Sequence, residues 1–156
     1  MKYAVIIFIL ALIFIFPQSI DFPDFEEMHI YHYKFCEEGE ATLIPHRFFV
    51  PSWLSVEGRA WVVFSQIFNN SLEKMHFMPN NVEILDVFFQ HKTANLILNL
   101  SAEILKYGGT YFEYRLVEML LANASQIPKV DYLTILIEGH LRPLPEGTLM
   151  HKTKVY

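Results

Sequence analysis

The ordered stretch at residues 82–139 constrains the fold of this chain more than any other feature. Residues 82–89 are rich in β-branched and aromatic side chains, which suit a half-buried strand. Residues 90–93 are few and polar, so the apolar run at residues 94–100 should fold back as the second strand of an antiparallel hairpin. Side chains two residues apart share one face of a strand. The face expected to lie inward consists of Ala94, Leu96, Leu98 and Leu100.

A helix should follow this hairpin, at residues 111–127. Gly108-Gly109 interrupts the strand pattern. Thr110 and Glu113 have the spacing of a capping box, in which each side chain bonds the backbone N–H of the other residue. Apolar residues then recur at helical spacing. This stripe consists of Phe112, Leu116, Leu120 and Ala124, widened by Val117 and Leu121.

The stretch should close with a buried strand at residues 130–137. Pro128 ends the helix, because proline cannot donate the hydrogen bond that continues a helix. Glu138-Gly139 then ends the apolar run. The whole stretch therefore predicts a β-β-α-β unit with one helix packed on a sheet.

The upstream half of the chain shows a strand followed by a helix. Residues 28–36 alternate between two faces, which predicts the first strand, and residues 37–40 form a polar turn. Residues 52–71 should hold the first helix, with Ser55 as its N-cap. From Ala60 onward, apolar residues in this segment recur at helical spacing.

Several short motifs along this order carry a family resemblance. Leu98-Asn99-Leu100-Ser101 is an aliphatic-polar-aliphatic-Ser strand ending, and Glu138-Gly139 closes a later strand. Leu43-Ile44-Pro45 precedes His46-Arg47, and Pro79-Asn80-Asn81 leads into the hairpin. Taken together, the motifs resemble those of the GerMN domain family of sporulation and spore-germination proteins. Many members carry a Gly-Pro after the first helix, which this chain lacks.

The resemblance covers residues 28–148. It implies an α+β domain of order β-α-β-β-α-β, with two helices packed on one face of a small mixed sheet. It also implies kinship with the ring-building motif of extracytoplasmic assembly proteins. Short connections and right-handed crossovers favour the same arrangement. Residues 149–156 are interpreted as a polar tail.

The N-terminus carries a targeting signal. Lys2 precedes an apolar run at residues 3–16, which is typical of a secretory signal. The run is shorter than the about 20 residues that a spanning helix needs, yet no small-x-small cleavage site follows it. Residues 1–20 are therefore either a cleaved signal peptide or a retained membrane anchor, joined to the domain by the acidic residues 21–27. Both alternatives place the domain outside the cytoplasm.

Charge and cysteine content exclude several classes of protein. The net charge of −5 argues against a nucleic-acid partner, since phosphate binding relies on clustered Lys and Arg. Cys36 is the single cysteine, which excludes an internal disulfide and a cysteine-based zinc site. No cysteine follows the apolar run directly, which excludes a lipoprotein anchor.

The residues that could carry chemistry do not form a recognisable catalytic pattern. His29 and His32 should lie on opposite faces of the first strand, and four of the other histidines are scattered over predicted turns: His46, His76, His91 and His140. Gly108-Gly109-Thr110 could bind an anion at a helix start, in competition with the capping box. The Asn-x-Ser triplets at Asn69, Asn99 and Asn123 are attributed to chance. We therefore name no catalytic residue, and we expect neither a metal nor a cofactor.

These observations favour a non-catalytic protein-interaction domain in the cell envelope. Its partner would be an envelope protein or a second copy of the chain, and only the N-terminal segment would enter the membrane. The predicted contact surface consists of Phe48, Phe49, Trp53 and Tyr156. The alternative is a module that binds cell wall or a small ligand, which would need a concave aromatic pocket. A hydrolase built from distant His and carboxylate residues is the third possibility.

Overall fold

The computed structural model describes residues 24–35, 41–68, 79 and 81–156, without the side chain of Phe35. The predicted signal or anchor, the turn at residues 37–40 and Cys36 lie outside the described residues.

The described residues form an α+β domain, as predicted. Its elements are β1 (Phe25–Phe35), β2 (Ala41–Pro51), α1 (Val56–Phe68), β3 (Ile84–Gln90), β4 (Asn95–Leu100), a 3-10 helix (Ala102–Leu105), α2 (Thr110–Ala124), β5 (Tyr132–Ile137) and β6 (Thr153–Lys154). The predicted order β-α-β-β-α-β corresponds to β1, α1, β3, β4, α2 and β5. β2 follows β1 as an additional strand, and the short β6 follows β5.

The larger sheet is four-stranded and mixed, in the order β3-β4-β5-β6. The predicted hairpin is the antiparallel pair of β3 and β4, and α2 carries the chain across to β5, which runs parallel to β4. Leu98 lies opposite Val87 on one side and Ile135 on the other. Because all three are buried, this register directs one face of the sheet into the core.

Ala94 does not belong to the second hairpin strand, which corrects the predicted start of that strand. Its φ is +49°, so it lies in the left-handed region and ends the turn, and β4 begins at Asn95. The rest of the predicted inward face is confirmed, since Leu96, Leu98 and Leu100 are fully buried.

Strands β1 and β2 form a separate two-stranded antiparallel sheet, which the sequence did not predict. Met28 lies opposite Phe48, and Phe25 lies opposite Pro51 at the end of the hairpin. β1 thus begins within the segment interpreted as an acidic linker. The molecule has two sheets because β1 and β2 pair only with each other among the described strands.

Asn123 of α2 fixes the β1–β2 hairpin to the rest of the domain. Its side-chain oxygen accepts a hydrogen bond from the Tyr31 N–H at 2.9 Å, and its amide nitrogen donates to the Tyr31 carbonyl at 2.7 Å. The same nitrogen donates to the Met119 carbonyl at 2.8 Å. Asn123 is fully buried and pairs with β1 as a neighbouring strand would. Its place in an Asn-x-Ser triplet does not reveal this role.

Pro45 lies inside β2 without disturbing the hairpin. The N–H and C=O of Tyr31 point towards Asn123, so Tyr31 and its register partner Pro45 form a non-hydrogen-bonded pair. The ladder therefore requires no N–H at Pro45. By the same alternation, the N–H groups of Arg47 and Phe49 point away from β1.

The two helices contribute to the same hydrophobic core as the inward face of the larger sheet. Ser55 caps α1 as predicted, since its Oγ accepts from the Gly58 N–H at 3.1 Å. The predicted start of this helix at residue 52 is wrong. The Arg59 guanidinium donates to the Ser52 carbonyl at 2.6 Å, and a turn precedes the cap. Among the described residues, no helix has the length and apolarity needed to cross a membrane.

The C-terminal residues belong to the packed domain. Leu144, Met150 and Val155 are buried, and β6 adds an antiparallel strand to β5. We call residues 141–156 the C-terminal strap. The packed unit is therefore longer at both ends than the predicted interval 28–148.

Candidate functional site

Two of the motifs that carry the family resemblance, Leu98–Ser101 and Glu138-Gly139, meet at one end of the larger sheet, where they have structural roles. The Asn99 side chain accepts from the Gly139 N–H at 2.8 Å, and the Glu138 carboxylate accepts from the Ala102 N–H at 2.8 Å. Ser101 Oγ accepts from the Glu83 N–H at 3.0 Å. These side chains satisfy backbone groups where β4 and β5 end. The motifs therefore specify the fold and not a reactive centre.

The predicted contact residues lie in three different environments. Phe49 and Trp53 are exposed, at 64% and 70% of their surface, near one end of the β1–β2 hairpin. Tyr156 is 96% exposed at the C-terminus. Phe48 faces the opposite way from Phe49, and it packs against the core as a half-buried side chain. The structure thus brings Phe49 and Trp53 together at one hairpin end and removes Phe48 from the exposed set.

Phe25 is an exposed aromatic outside the predicted contact surface. It is 57% exposed and lies opposite Pro51, so it is the diagonal neighbour of Phe49 on the same face of the hairpin. The alternation of residues 28–36 extends back to Phe25, and this was the signal that could have identified it. Phe25, Phe49 and Trp53 are called the hairpin-end patch below.

The free edge of β2 is the second feature of this surface. β2 is 11 residues long and, among the described strands, pairs with β1 alone. Two prolines, Pro45 and Pro51, reduce the number of N–H donors along its other edge, as is common where a sheet edge must not aggregate. The N–H groups of Arg47 and Phe49 point outward, in the direction that an added strand would occupy.

A groove of about 370 Å³ lies between the hairpin and the C-terminal half of α2. Its lining includes Tyr31, Leu43, Glu118, Leu121, Gln126 and Tyr156. Apolar walls and a few polar groups are what a small-ligand site requires. Tyr156, predicted as a contact residue, therefore belongs to this groove.

Arg115 and Glu118, three residues apart on α2, form a cluster with Tyr33 of β1. Arg115 Nη1 lies 3.1 Å from Glu118 Oε2 and donates to the Tyr33 hydroxyl at 3.3 Å. The Tyr33 hydroxyl in turn donates to the Glu118 carboxylate. The guanidinium also lies over the rings of Tyr33, Tyr111 and Tyr114, at 5.2 to 5.4 Å from their centres. This cluster joins α2 to β1.

The cluster predicts a late titration of Tyr33. Burial, and next its hydrogen bond to Glu118, raise the pKa of the Tyr33 phenol to about 12. Replacing Glu118 with glutamine should lower this pKa, because the phenol would no longer donate to a carboxylate. Near-ultraviolet absorbance during alkaline titration, compared with Tyr33→Phe to identify the signal, measures the shift. Glu57→Gln on α1 is the control and should leave the Tyr33 pKa unchanged.

The capping box predicted for α2 is not formed. Gly109 is the N-cap, with φ +103°, and the Thr110 and Glu113 side chains bond elsewhere. Glu113 is 2% exposed, and its two oxygens accept from the Glu146 N–H at 2.7 Å, the Thr148 N–H at 2.9 Å and the Tyr107 hydroxyl at 3.1 Å. Glu113 therefore holds the C-terminal strap.

The start of α2 accepts an anion from the same chain. The Glu146 carboxylate accepts from the Gly109 N–H at 2.8 Å. This position matches the anion site that Gly108-Gly109-Thr110 suggested, because free N–H groups and the helix dipole favour negative charge there. The strap supplies that charge itself.

Among the described histidines, His32 and His46 are neighbours. His29 and His32 lie in β1 on opposite faces, as expected of neighbouring odd and even positions. His46 lies in β2 and not in a turn, with its ring 4.3 Å from that of His32, which corrects its predicted placement. Within residues 24–35, 41–68 and 81–156, no group of three or more His, Cys, Asp or Glu could hold a metal ion. His76 lies outside these residues.

Comparisons with known proteins place the fold. No protein-family model and no curated protein matches the sequence. The first GerMN domain of the sporulation protein GerM from Bacillus subtilis is similar in structure, with TM-score 0.52 and 17% identity over 85% of this chain and 97% of that one. The tandem GerMN domains of the same protein give TM-score 0.62 and 9% identity, over 90% of this chain and 49% of theirs.

A third similar structure comes from Clostridium perfringens and is described as a lipoprotein. It has TM-score 0.52 and 16% identity, over 81% of this chain and 83% of that one. At such identities the likeness concerns the fold alone. The order of elements, the motifs at the strand ends and these structural neighbours agree, and the chain has a GerMN-like fold.

Proposed function

We propose that this chain is a non-catalytic interaction domain of the cell envelope, placed outside the cytoplasm by its N-terminal segment. The free edge of β2 is the observation that carries the proposal. An extended segment of a partner protein would add to this edge as a further strand, bonded to the outward backbone groups of β2. The structural likeness to a sporulation protein and to a protein described as a lipoprotein supports an envelope setting.

Arg47 allows this mode of binding to be tested with two substitutions at one position. Arg47→Pro removes an outward N–H that the β1–β2 ladder does not use, just as Pro45 does naturally. Arg47→Ala keeps that N–H, and both variants lose the 3.5 Å contact between Arg47 and Glu27. Any difference between the two variants therefore reports on the backbone edge.

The measurement is photo-crosslinking in the source cells with the full chain. A photoreactive residue at the exposed Thr42 of β2 should capture a discrete protein, or a second copy, and Lys92 at the far hairpin serves as the control position. Arg47→Pro should reduce capture about tenfold, while Arg47→Ala should retain it. Equal capture by the two variants would contradict strand addition.

A wall- or ligand-binding module is the second candidate, favoured by the groove beside α2. Its apolar walls and the exposed ring of Tyr156 would suit stacking against a small ligand or a sugar. Capture of cell-wall glycan alone at Thr42 would favour this function over the protein-interaction domain.

A further inference from the structure

The hairpin-end patch is an exposed aromatic surface at the point where the described chain begins. Phe25 and Phe49 share one face of the hairpin, and Trp53 lies two residues beyond Pro51. The Ser52 N–H donates to the Asp24 carbonyl at 2.7 Å, which fixes the first described residue beside the turn that carries Trp53. The patch and the entry point of the chain therefore lie side by side.

The charged groups around this patch are largely paired. Glu26 forms an ion pair with Arg59, whose side chain is 9% exposed, and Glu27 lies 3.5 Å from Arg47. Glu27 and Arg47 flank Phe49 on the hairpin. Pairing of these charges lowers the cost of bringing the surface to a less polar environment.

The length of the preceding segment keeps the patch close to any membrane in which residues 3–16 lie. Eight residues separate Phe16, the last of the apolar run, from Phe25. Even fully extended, the nine steps from Phe16 to Phe25 span only about 30 Å. Aromatic side chains, tryptophan above all, are favoured at the boundary between acyl chains and head groups.

We propose that the hairpin-end patch rests on the lipid–water interface of the membrane that holds residues 3–16. The inference depends on the proposed placement outside the cytoplasm and on retention of that segment. Fourteen apolar residues are fewer than the about 20 of a spanning helix, so the segment alone is a weak anchor. A second contact supplies the additional affinity that stable attachment generally requires.

The two tryptophans of the chain allow a direct test. The full chain is reconstituted in phosphatidylcholine vesicles, with and without bromine atoms near the head-group end of the acyl chains. Trp61→Phe leaves Trp53 as the single tryptophan. The control chain carries Trp53→Phe, Trp61→Phe and Phe88→Trp, which places the single tryptophan on the exposed Phe88 position of β3.

If the hairpin-end patch contacts the membrane, brominated lipid should quench Trp53 at least threefold more strongly than the control tryptophan. The Trp53 emission should also be blue-shifted, because the ring would lie at the lipid–water interface. Equal quenching of the two would overturn the proposal. A blue shift of Trp53 that needs no lipid and grows with protein concentration would also overturn it, because a second copy would then cover the patch.

A second pair of variants measures the contribution of the patch to attachment. Phe49→Ser with Trp53→Ser should raise the fraction of full chain extracted from vesicles roughly tenfold. Leu85→Ser with Phe88→Ser removes two exposed apolar side chains from β3, 42% and 51% exposed, and should leave extraction unchanged. Similar extraction of the two double variants would contradict membrane contact by the hairpin-end patch. Crosslinking at Thr42 tests strand addition at β2 independently of these measurements. A result against membrane contact by the patch would therefore leave the proposed strand addition unaffected.

Discussion

Replacing Asn123 with alanine is expected to lower the free energy of unfolding by about 3 kcal/mol. The variant would lose all three hydrogen bonds of the amide and leave the N–H and C=O of Tyr31 unpaired. Each buried backbone group without a partner costs about 1–3 kcal/mol. Urea denaturation measures the loss, and hydrogen exchange at the Tyr31 amide should show that the hairpin is released first.

Ser125→Ala is the matched control for this prediction. It lies on the same helix end and abolishes the Asn-x-Ser triplet, but it removes two local hydrogen bonds, from Ser125 Oγ to the Ala122 carbonyl at 2.8 Å and from Gln126 Nε2 to Ser125 Oγ at 3.4 Å. Its expected cost is below about 1 kcal/mol. If the two variants were equally destabilised, the amide of Asn123 would not be what holds β1 to α2.

Replacing Glu113 with glutamine is expected to cost about 2 kcal/mol and to loosen the C-terminal strap. The Glu146 and Thr148 N–H groups bond to different oxygens of the Glu113 carboxylate. A glutamine has one oxygen, so its NH₂ group would face one of these donors in a buried position. Hydrogen exchange at the amides of Glu146 and Thr148 should accelerate, and urea denaturation should give the loss in stability.

The same carboxylate predicts a dependence of stability on pH. Burial raises the pKa of Glu113, but hydrogen bonds from the Thr148 side chain and from the backbone of Glu146 and Thr148 outweigh this and hold the pKa below its ordinary value of 4.5. The folded state therefore favours the charged form. This stabilisation is complete above pH 4.5 and is lost as the pH falls through the folded-state pKa.

Glu103→Gln provides the control for both measurements on Glu113. Glu103 pairs with Lys106 at 3.1 Å on the surface, where such a pair contributes little. The wild type and Glu103→Gln should lose stability in parallel below pH 4.5, while Glu113→Gln should lose less. If the stability of the wild type and of Glu113→Gln fell identically with pH, protonation of Glu113 would not be the cause of the loss in the wild type.

The sequence was sufficient for elements whose partners are near in the chain. The run of Leu96, Leu98 and Leu100 and the α2 stripe from Leu116 onward are local patterns, and each specifies one buried face without reference to the rest of the molecule. Phe112, which was predicted to begin that stripe, is instead exposed in the first turn of α2. The hairpin of β3 and β4 needs only a short polar turn between two apolar runs. For that reason the β-β-α-β unit and the α+β class could be predicted.

The sequence failed for β2 and for the exposed surface. Pro45 argues against a strand, because proline has no N–H to donate to a neighbouring strand. This loss matters only where the N–H would point towards the neighbour. The register of β1 and β2 shows that at position 45 it would point away from β1. Phe48 and Phe49 are adjacent and identical residues, so the sequence alone does not distinguish them. Only the docking of the hairpin determines that Phe48 packs inward and Phe49 points to solvent.

The roles of Asn123 and Glu113 were decided by the tertiary structure alone. Asn123 bonds to Tyr31 across 92 positions, and Glu113 bonds to Thr148 across 35. A buried polar group must find partners wherever the fold places them, so its role cannot be read from the neighbours that surround it in the sequence. Local periodicity determined which segments are strands and helices, and long-range satisfaction of buried polar groups determined how the hairpin and the strap are attached.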